Sequence, residues 1–204
     1  MDESILKEGL IYAGTDDGLI QVTDDGGKTW TKIEKVGGLP EKIYVSDLFA
    51  SRFDQGTVFA TFNNHKSYDL KPYVFKSTDK GKTWTSISSN LPEDDQAWSI
   101  VQDHVNKDLL FLGTEFAVFF TIDGGKNWVK MKSGLPPIAM RDLEIQRREN
   151  DLILGTFGRG IYILDDYTPL RTLSEDLLEQ DAHIFPIEDA LMYVQDNSKR
   201  KNAL

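Results

Sequence analysis

The sequence contains no cysteine and no long apolar segment. The lack of cysteine excludes disulfides and thiol-based catalysis. A membrane-spanning helix needs roughly 18 or more consecutive apolar residues, and none is predicted. Basic residues are also scarce: 23 Lys and Arg stand against 33 Asp and Glu, and the formal net charge is −10. Nucleic-acid-binding surfaces are rich in clustered Lys and Arg, so we expect no nucleic-acid partner.

Recognisable catalytic and metal-binding motifs are missing as well. His65, His104 and His183 are isolated and do not have the spacing of zinc ligands. There is no phosphate-binding Gly-x-x-x-x-Gly-Lys loop and no Gly-x-Ser-x-Gly nucleophile motif. We therefore predict no metal site and no cofactor.

The sequence does contain one motif three times, with the pattern Ser/Thr-x-Asp-x-Gly-x-Thr/Asn-Trp. Its defining residues are Thr23, Asp25, Gly27 and Trp30; Ser77, Asp79, Gly81 and Trp84; and Thr121, Asp123, Gly125 and Trp128. The hydroxyl and the carboxylate can accept hydrogen bonds from N–H groups of a turn, and glycine tolerates a positive φ there. The Trp opens the next strand and can bury its ring. A unit that recurs at intervals of tens of residues predicts a repeat fold in which these residues are structural.

Short alternating apolar segments separate the motifs and predict four strands per unit. A fourth unit, from Asp142 to Leu164, ends at Asp165–Asp166, where the motif's Gly and Trp are missing. Residues 1–9 resemble a lead-in, so the first unit is expected to lack its innermost strand. The second unit carries an insertion, Asn63–Pro72, which predicts a loop. The sequence thus predicts an all-β fold of about three and a half to four four-stranded antiparallel blades.

The motif resembles the Asp-box, or BNR repeat, of β-propellers. Residues 9–23 and 155–166, with Thr168–Arg171 after them, are similar to the C-terminal part of bacterial sortilin-like or BNR-repeat "glycosyl hydrolase" proteins. The resemblance implies a segment of a larger propeller in a periplasmic or extracellular protein. We place the blades in residues 1–167. A C-terminal tail, 168–204, is expected to hold a short helix after Ser174 and closing strands at 182–185 and 190–194.

Propeller topology puts the three motifs on one face and the turns after each second strand on the opposite face, around the channel. Arg159 lies between two glycines, where its guanidinium could bind a carboxylate or phosphate or pair with Asp165 or Asp166. For any residue of this face, the alternative is an ordinary solvated turn. The candidate ligand-binding residues are Asp16, Asp17, His65, Tyr68, Trp98, Glu115 and Arg159.

Three functions remain open at this point. The first is a non-catalytic segment that binds a peptide, protein or glycan at the channel face. The second is a glycoside hydrolase whose site is incomplete in this chain, with Glu115 and Asp17 as acid and base or nucleophile if the channel brings them together. None of the arginines has a sialidase context, so no sialidase residue is transferred. The third is a structural scaffold.

The predicted partners follow from the incomplete ring. Closure protects the sheet edges of a propeller, so an arc with bare edges should associate with further blades. These blades would come from a longer parent chain or from a second copy. The alternative is a small closed ring completed by the tail.

Overall fold

A computed structural model describes residues 1–132 and 134–187 of the chain. The strands form four antiparallel sheets, three with four strands and one with three. Within each sheet the strands lie in chain order, so each sheet is a simple up-and-down blade. The predicted all-β propeller fold is confirmed.

The strand bounds, blade by blade, are as follows. Blade 1 contains β1 (Asp2–Glu3), β2 (Ile11–Gly14), β3 (Ile20–Thr23) and β4 (Thr31–Ile33); blade 2 contains β5 (Tyr44–Ala50), β6 (Val58–Asn64), β7 (Asp69–Ser77) and β8 (Thr85–Ser86). Blade 3 contains β9 (Ala97–Gln102), β10 (Leu110–Thr114), β11 (Val118–Thr121) and β12 (Val129–Lys130); blade 4 contains β13 (Met140–Gln146), β14 (Asp151–Thr156) and β15 (Ile161–Leu164).

The first blade corrects one expectation, because it does have an innermost strand. Asp2 pairs with Tyr12 and Glu3 pairs with Ile11 in antiparallel register. The Asp2 carboxylate also accepts a hydrogen bond from the backbone N–H of Ala50 on the next blade, at 2.7 Å. Two acidic residues carry no strand signal of their own, so tertiary contacts that the sequence pattern does not show decide this element.

Apolar contacts between successive blades build the core. Three clusters fill the interfaces between blades 1 and 2, 2 and 3, and 3 and 4. Their largest members, such as Phe62 and Phe111, are almost completely buried. Full burial of one such side chain stabilises the fold by roughly 2–3 kcal/mol, so blade-to-blade packing dominates the stability. It also fixes the positions of the turns at both ends of the blades.

The insertion in blade 2 is more regular than the predicted loop. It lengthens β6 and β7 and closes them with a short 3-10 helix, His65–Ser67. Tyr68 follows with φ of 58°, a left-handed conformation that is costly for a residue with a Cβ. Its ring is 95% exposed. The insertion therefore presents an aromatic side chain to solvent on a strained turn.

The blades lie in one compact unit, Met1–Leu173, and residues Ser174–Leu204 form a second unit. The second unit contains a single-turn helix, α1 (Glu175–Leu178), and the Ser174 hydroxyl accepts a hydrogen bond from the N–H of Leu177 at 3.2 Å. Residues 182–187 have no regular secondary structure, so the strand expected at 182–185 is not formed. The strand expected at 190–194 lies outside the described residues. None of the described helices is long and apolar enough to cross a membrane.

Candidate ligand-binding face

Each innermost strand of blades 2, 3 and 4 has a β-bulge at the same place, near its first residues. The extra residues are Ser46, Trp98 and Arg141. A bulge leaves one residue outside the ladder and turns its side chain in a new direction. These three positions lie on the channel face, beside the turns that follow each second strand.

Trp98 and Arg141 form the centre of this face. The guanidinium carbon of Arg141 lies 3.5 Å from the centroid of the Trp98 ring, a close cation–π contact. The backbone carbonyl of Trp98 accepts a hydrogen bond from the Thr61 hydroxyl of blade 2 at 2.8 Å, which holds the bulge in place. Arg141 also lies 5.3 Å from the ring centroid of Phe157, whose side chain is 70% exposed. The Arg141 cation of blade 4 thus lies near two aromatic rings, Trp98 of blade 3 and Phe157 of blade 4.

Glu115 contacts both Trp98 and Arg141. Its Oε2 accepts hydrogen bonds from Trp98 Nε1 at 2.8 Å and from Gln96 Nε2 at 3.1 Å. The same oxygen lies 3.6 Å from Arg141 Nη2. The carboxylate therefore orients the indole and partly neutralises the arginine. Two hydrogen-bond donors and a nearby guanidinium already engage this carboxylate, which is a positioning arrangement rather than that of a free catalytic acid.

The row continues into blade 2 through His65 and Tyr44. The His65 ring lies 5.9 Å from the Trp98 ring and 6.1 Å from the Tyr44 ring, and Lys66 Nζ lies 4.3 Å above the Tyr44 ring. Asn63 Oδ1 lies 2.5 Å from His65 Nδ1, and its amide donates to the Ser46 hydroxyl at 2.8 Å. The side chains form a continuous band across blades 2, 3 and 4. We call it the stacked row; its members are Tyr44, His65, Trp98, Arg141 and Phe157.

Of the sequence-predicted ligand residues, the structure brings His65, Trp98 and Glu115 together. Asp16 and Asp17 are exposed in the turn after the second strand of blade 1, where the Thr15 hydroxyl donates to the Asp17 carboxylate. Arg159 is exposed in the corresponding turn of blade 4 and pairs with no described acidic residue.

The alternative predicted for Arg159, a pairing with Asp165 or Asp166, is not formed. Asp166 Oδ1 instead accepts hydrogen bonds from the N–H and hydroxyl of Thr168, at 3.1 and 2.5 Å. Arg141 is not among the candidate ligand-binding residues that the sequence predicts. A bulge alone places it on this face, and the only available signal was its alignment with Trp98 in the repeat.

The Asp-box residues act within their own turns. In the third box, Asp123 Oδ1 accepts from the Thr121 hydroxyl at 2.6 Å and from the Asn127 N–H at 3.0 Å, while the Gly125 N–H donates to Thr121 at 3.1 Å. The other boxes repeat these bonds through Thr23, Asp25, Gly27 and Thr29 and through Ser77, Asp79, Gly81 and Thr83. Each box aspartate therefore has a full set of local donors.

These donors change the acidity of the box aspartates. Hydrogen bonds from Thr29 lower the pKa of Asp25 to about 2, and bonds from Thr83 do the same for Asp79. Burial by itself would raise the pKa of Asp123. Hydrogen bonds, including those from Thr121 and Asn127, outweigh this effect and lower the pKa to about 2. The low pKa values follow from turn geometry and need no ligand.

The box tryptophans reach back to the preceding blade. Trp128 is 4% exposed, and its Nε1 donates to the backbone carbonyl of Ile87 at 2.7 Å. Trp84 packs in the first interface cluster together with Ile33. Trp30 has no preceding blade among the described residues and is 43% exposed. The Trp of the second and third motifs thus packs against the preceding blade, whereas Trp30 of the first motif has no such contact among the described residues.

A buried polar network ties the segment after blade 4 to blade 3. Asp103 has a completely buried side chain and accepts two hydrogen bonds from Arg171, at 2.9 and 2.7 Å. The hydroxyl of Tyr167 also donates to Asp103 at 2.7 Å. Burial is the largest single influence on the pKa of Asp103 and would raise it. The hydrogen bonds, foremost those from Arg171, together outweigh burial and keep this pKa below its ordinary value. This network anchors the 3-10 turn Thr168–Thr172 to blade 3.

An open cleft of about 210 Å³ lies between the four innermost strands. Acidic residues line it from three blades, among them Asp2, Asp47 and Asp142. Asp47 accepts hydrogen bonds from Ser99 Oγ at 2.9 Å and from the Ile100 N–H at 3.0 Å. Burial raises the pKa of Asp47 to about 6. Among the described residues no group of three or more His, Asp or Glu side chains is arranged to hold a metal ion.

Comparisons with solved structures identify the same fold. YCF48 bound to D1 peptide is 17% identical with a TM-score of 0.53, over 76% of this chain and 47% of that chain. YCF48 from Cyanidioschyzon merolae is 17% identical with a TM-score of 0.54, over 80% and 51%. The GH74 xyloglucanase from Xanthomonas campestris is 19% identical with a TM-score of 0.55, over 74% and 25%. The chain thus spans about half or less of the length of these proteins, and a search of curated proteins found no match.

Two family models match the sequence itself. The BNR/Asp-box repeat model matches residues 21–32, which contain the first box. The model described as "Sortilin, neurotensin receptor 3" matches residues 72–183, more than half of the chain. The chain is therefore a β-propeller segment that belongs to the Sortilin-Vps10 family.

Proposed function

We propose that the channel face binds an extended peptide or protein segment without catalysing a reaction. The stacked row carries this proposal, because it joins aromatic and cationic side chains from three blades into one continuous surface. Exposed aromatic rings and arginine dominate the binding energy of many protein interfaces. The guanidinium of Arg141 offers donors to backbone carbonyls or to an acidic side chain of the ligand.

Two further features of the face support a polar, chain-like ligand. The side-chain oxygen of Gln96 is buried and has no hydrogen-bond partner among the described residues. An unpaired buried acceptor costs about 1–3 kcal/mol, and a backbone N–H of a ligand would relieve that cost. Tyr68 adds an exposed ring at the tip of the insertion. A peptide-bound neighbour of the same fold, YCF48 with the D1 peptide, supports this choice of ligand class.

The completed binding surface is proposed to include further blades. Trp30 at one end of the arc is 43% exposed, and Ile161 and Ile163 at the other end are 71% and 58% exposed. Apolar side chains that other blades would cover are thus open at both ends. Sedimentation velocity at increasing concentration tests whether a second copy provides the cover, and a compact monomer at all concentrations would contradict that source.

A peptide array provides the direct test of the proposed function. Random twelve-residue peptides are screened with the wild-type protein, and the hits are titrated by fluorescence anisotropy. We expect Arg141→Gln to weaken binding at least tenfold, because it removes the charge and the stacked plane. The control Phe53→Ala changes an exposed ring on the opposite face and should leave the affinity within twofold. An array without hits, or hits that ignore Arg141→Gln, would overturn the proposal.

Glycoside hydrolysis is the second candidate function. The observation that favours it is the open cleft between the four innermost strands. A carboxyl with a raised pKa, such as Asp47, has the property of a general acid, and Asp142 lines the same cleft. Glu115 and Asp17, the pair predicted from sequence, belong to turns of different blades, and each carboxylate accepts local hydrogen bonds. Hydrolysis of an aryl-glycoside panel that disappears in Asp47→Asn and Asp142→Asn would establish this function in place of binding.

A further inference from the structure

The outer edge of blade 4 differs from that of the other three blades. In blades 1, 2 and 3 a short fourth strand follows the box Trp and pairs with the third strand. Among the described residues no strand pairs with the outer edge of β15. The described residues thus leave the backbone groups on that edge without a strand partner, and such an edge can pair with an added strand.

A groove of about 150 Å³ runs beside this edge. Its apolar walls come from blade 3 through Met131 and Leu135 and from blade 4 through Leu154, Tyr162 and Leu164. The groove is continuous with the apolar cluster that joins these two blades, since the same side chains belong to or pack against it. It is thus the unfilled outer end of an existing interface.

The other blades show what fills the equivalent place. Met131 follows its box Trp by three positions, as Ile33 and Ile87 follow theirs. Ile33 packs with Trp84 of the next blade, and Ile87 receives the Trp128 indole of the next blade. Blade 4 has no box Trp to lay against Met131, because its box has lost that residue.

The backbone contacts of the equivalent strands are equally consistent. The Ile87 N–H donates to the Val74 carbonyl at 2.8 Å, and the Met131 N–H donates to the Val118 carbonyl at 2.9 Å. In blade 4, Ile161 holds the place of Val118, because Val118 pairs with Gly113 and Ile161 pairs with Gly155 in the same register.

We propose that blade 4 binds an extended segment of a partner protein as its fourth strand, with an aromatic side chain of that segment seated in the groove against Met131. Strand addition supplies the affinity through main-chain hydrogen bonds, and the groove supplies the specificity for the aromatic residue. This site is separate from the stacked row and goes beyond the proposed function.

The test uses the chain's own third-box strand as the probe. A fluorescein-labelled peptide with the sequence of Gly125–Lys132 is titrated against the full chain by fluorescence anisotropy. Replacement of the peptide's Trp by Ser should weaken binding at least tenfold, because the groove then stays empty. N-methylation of the peptide's Met should have an effect of the same size, because that N–H makes the main-chain bond in blade 3.

Protein variants locate the site. Leu135→Lys places a charge in the groove and should weaken binding at least tenfold. The matched control Val105→Lys adds the same charge at a valine that is 59% exposed in a turn of blade 3, and should leave the affinity within twofold. Circular dichroism and the melting temperature show whether either variant still folds.

Three outcomes would overturn the proposal. The first is no binding of the peptide by the wild-type chain. The second is equal binding of the N-methylated peptide, which would exclude strand addition. The third is a dimer of the wild-type chain that Leu135→Lys converts to monomer, which would make a second copy the occupant of the groove.

Discussion

The carboxylate of Asp47 on the innermost strand of blade 2 accepts a hydrogen bond from the backbone N–H of Ile100 on the innermost strand of blade 3, at 3.0 Å. Equivalent links run along the arc. Asp2 accepts from the Ala50 N–H at 2.7 Å, and Ser99 Oγ accepts from the Leu143 N–H at 3.3 Å. In blades 1, 2 and 3, one side chain of the innermost strand thus accepts a hydrogen bond from the backbone of the next blade. These bonds connect neighbouring blades, whose described strands have no β-sheet hydrogen bonds with each other.

Asp47 gives the first prediction, on pH dependence. Burial raises its pKa to about 6, whereas the unfolded chain has an ordinary aspartate pKa near 4. Between these values the native state holds a proton that the unfolded chain has released, so Asp47 makes the free energy of unfolding fall as pH rises from about 4 to about 6. We expect Asp47→Asn to remove this part of the slope in urea titrations across that range. Asp142→Asn, in the same cleft, is the control and should retain it.

The Asp-boxes give the second prediction, with the opposite sign. The pKa of Asp123 is lowered to about 2, so the native state loses its proton more readily than the unfolded chain. This contribution to stability is present above about pH 4 and is lost as pH falls toward 2. Asp123→Ala should also lower the free energy of unfolding at pH 7 by about 2 kcal/mol, because the turn N–H groups lose a charged acceptor.

Chemical denaturation at pH 7 and below checks this second prediction. Asp94→Ala is the matched control, since it removes an exposed aspartate from blade 3 outside the box. Equal effects of the two substitutions would show that the box carboxylate has no special role in the turn.

The box tryptophans give the third prediction. Trp128→Phe removes the donor to the Ile87 carbonyl at a site that is 4% exposed. We expect a loss of about 2 kcal/mol in the free energy of unfolding, from the unpaired carbonyl and the smaller ring. Trp30→Phe changes an exposed ring and should stay within about 0.5 kcal/mol. Urea unfolding of both variants provides the measurement. A cost at Trp30 as large as at Trp128 would mean that another surface covers Trp30 in solution.

Tyr68 gives the fourth prediction, in which stability and binding change in opposite directions. Its φ of 58° is strained for tyrosine and free for glycine, so Tyr68→Gly should raise the free energy of unfolding by about 1 kcal/mol. Affinity for peptides selected on the channel face should fall, because the exposed ring is gone.

Lys80→Gly is the control, with φ of 61° in the second box. Its gain in stability is reduced by the loss of an exposed ion pair with Asp24, and it should leave peptide affinity unchanged. Melting curves and anisotropy titrations measure the two effects.

The elements that the sequence predicts well are those specified locally. The box turn closes on itself through Thr121, Asp123 and Gly125 within five residues, so its geometry can be inferred from the motif alone. The strands of blade 4 were predicted from alternation although its box is incomplete, since burial of Leu152 and Leu154 sets that pattern. His65 and Trp98 were expected on one face because propeller topology assigns them there.

The elements that the sequence does not reveal depend on distant residues. Strand β1 consists of two acidic residues held by Tyr12 and Ala50. The position of Arg141 results from a bulge, which leaves no periodic signal. Asp103 and Arg171 are far apart in sequence, and only the folded chain brings them to 2.7 Å. Local pattern therefore determines the blades, and contacts between blades determine the candidate ligand-binding face.

The recurring bulge at the start of the innermost strands has an evolutionary consequence. Ser46, Trp98 and Arg141 occupy one equivalent position in three blades, yet the first is small and polar, the second is large and aromatic, and the third is cationic. Because a bulged residue stands outside the ladder, the strand tolerates each of them without a change in the packing beneath. Blades 2, 3 and 4 thus each offer one side chain on the channel face that can change without altering the ladder, and duplication followed by substitution at these positions can create a new recognition surface on an unaltered framework.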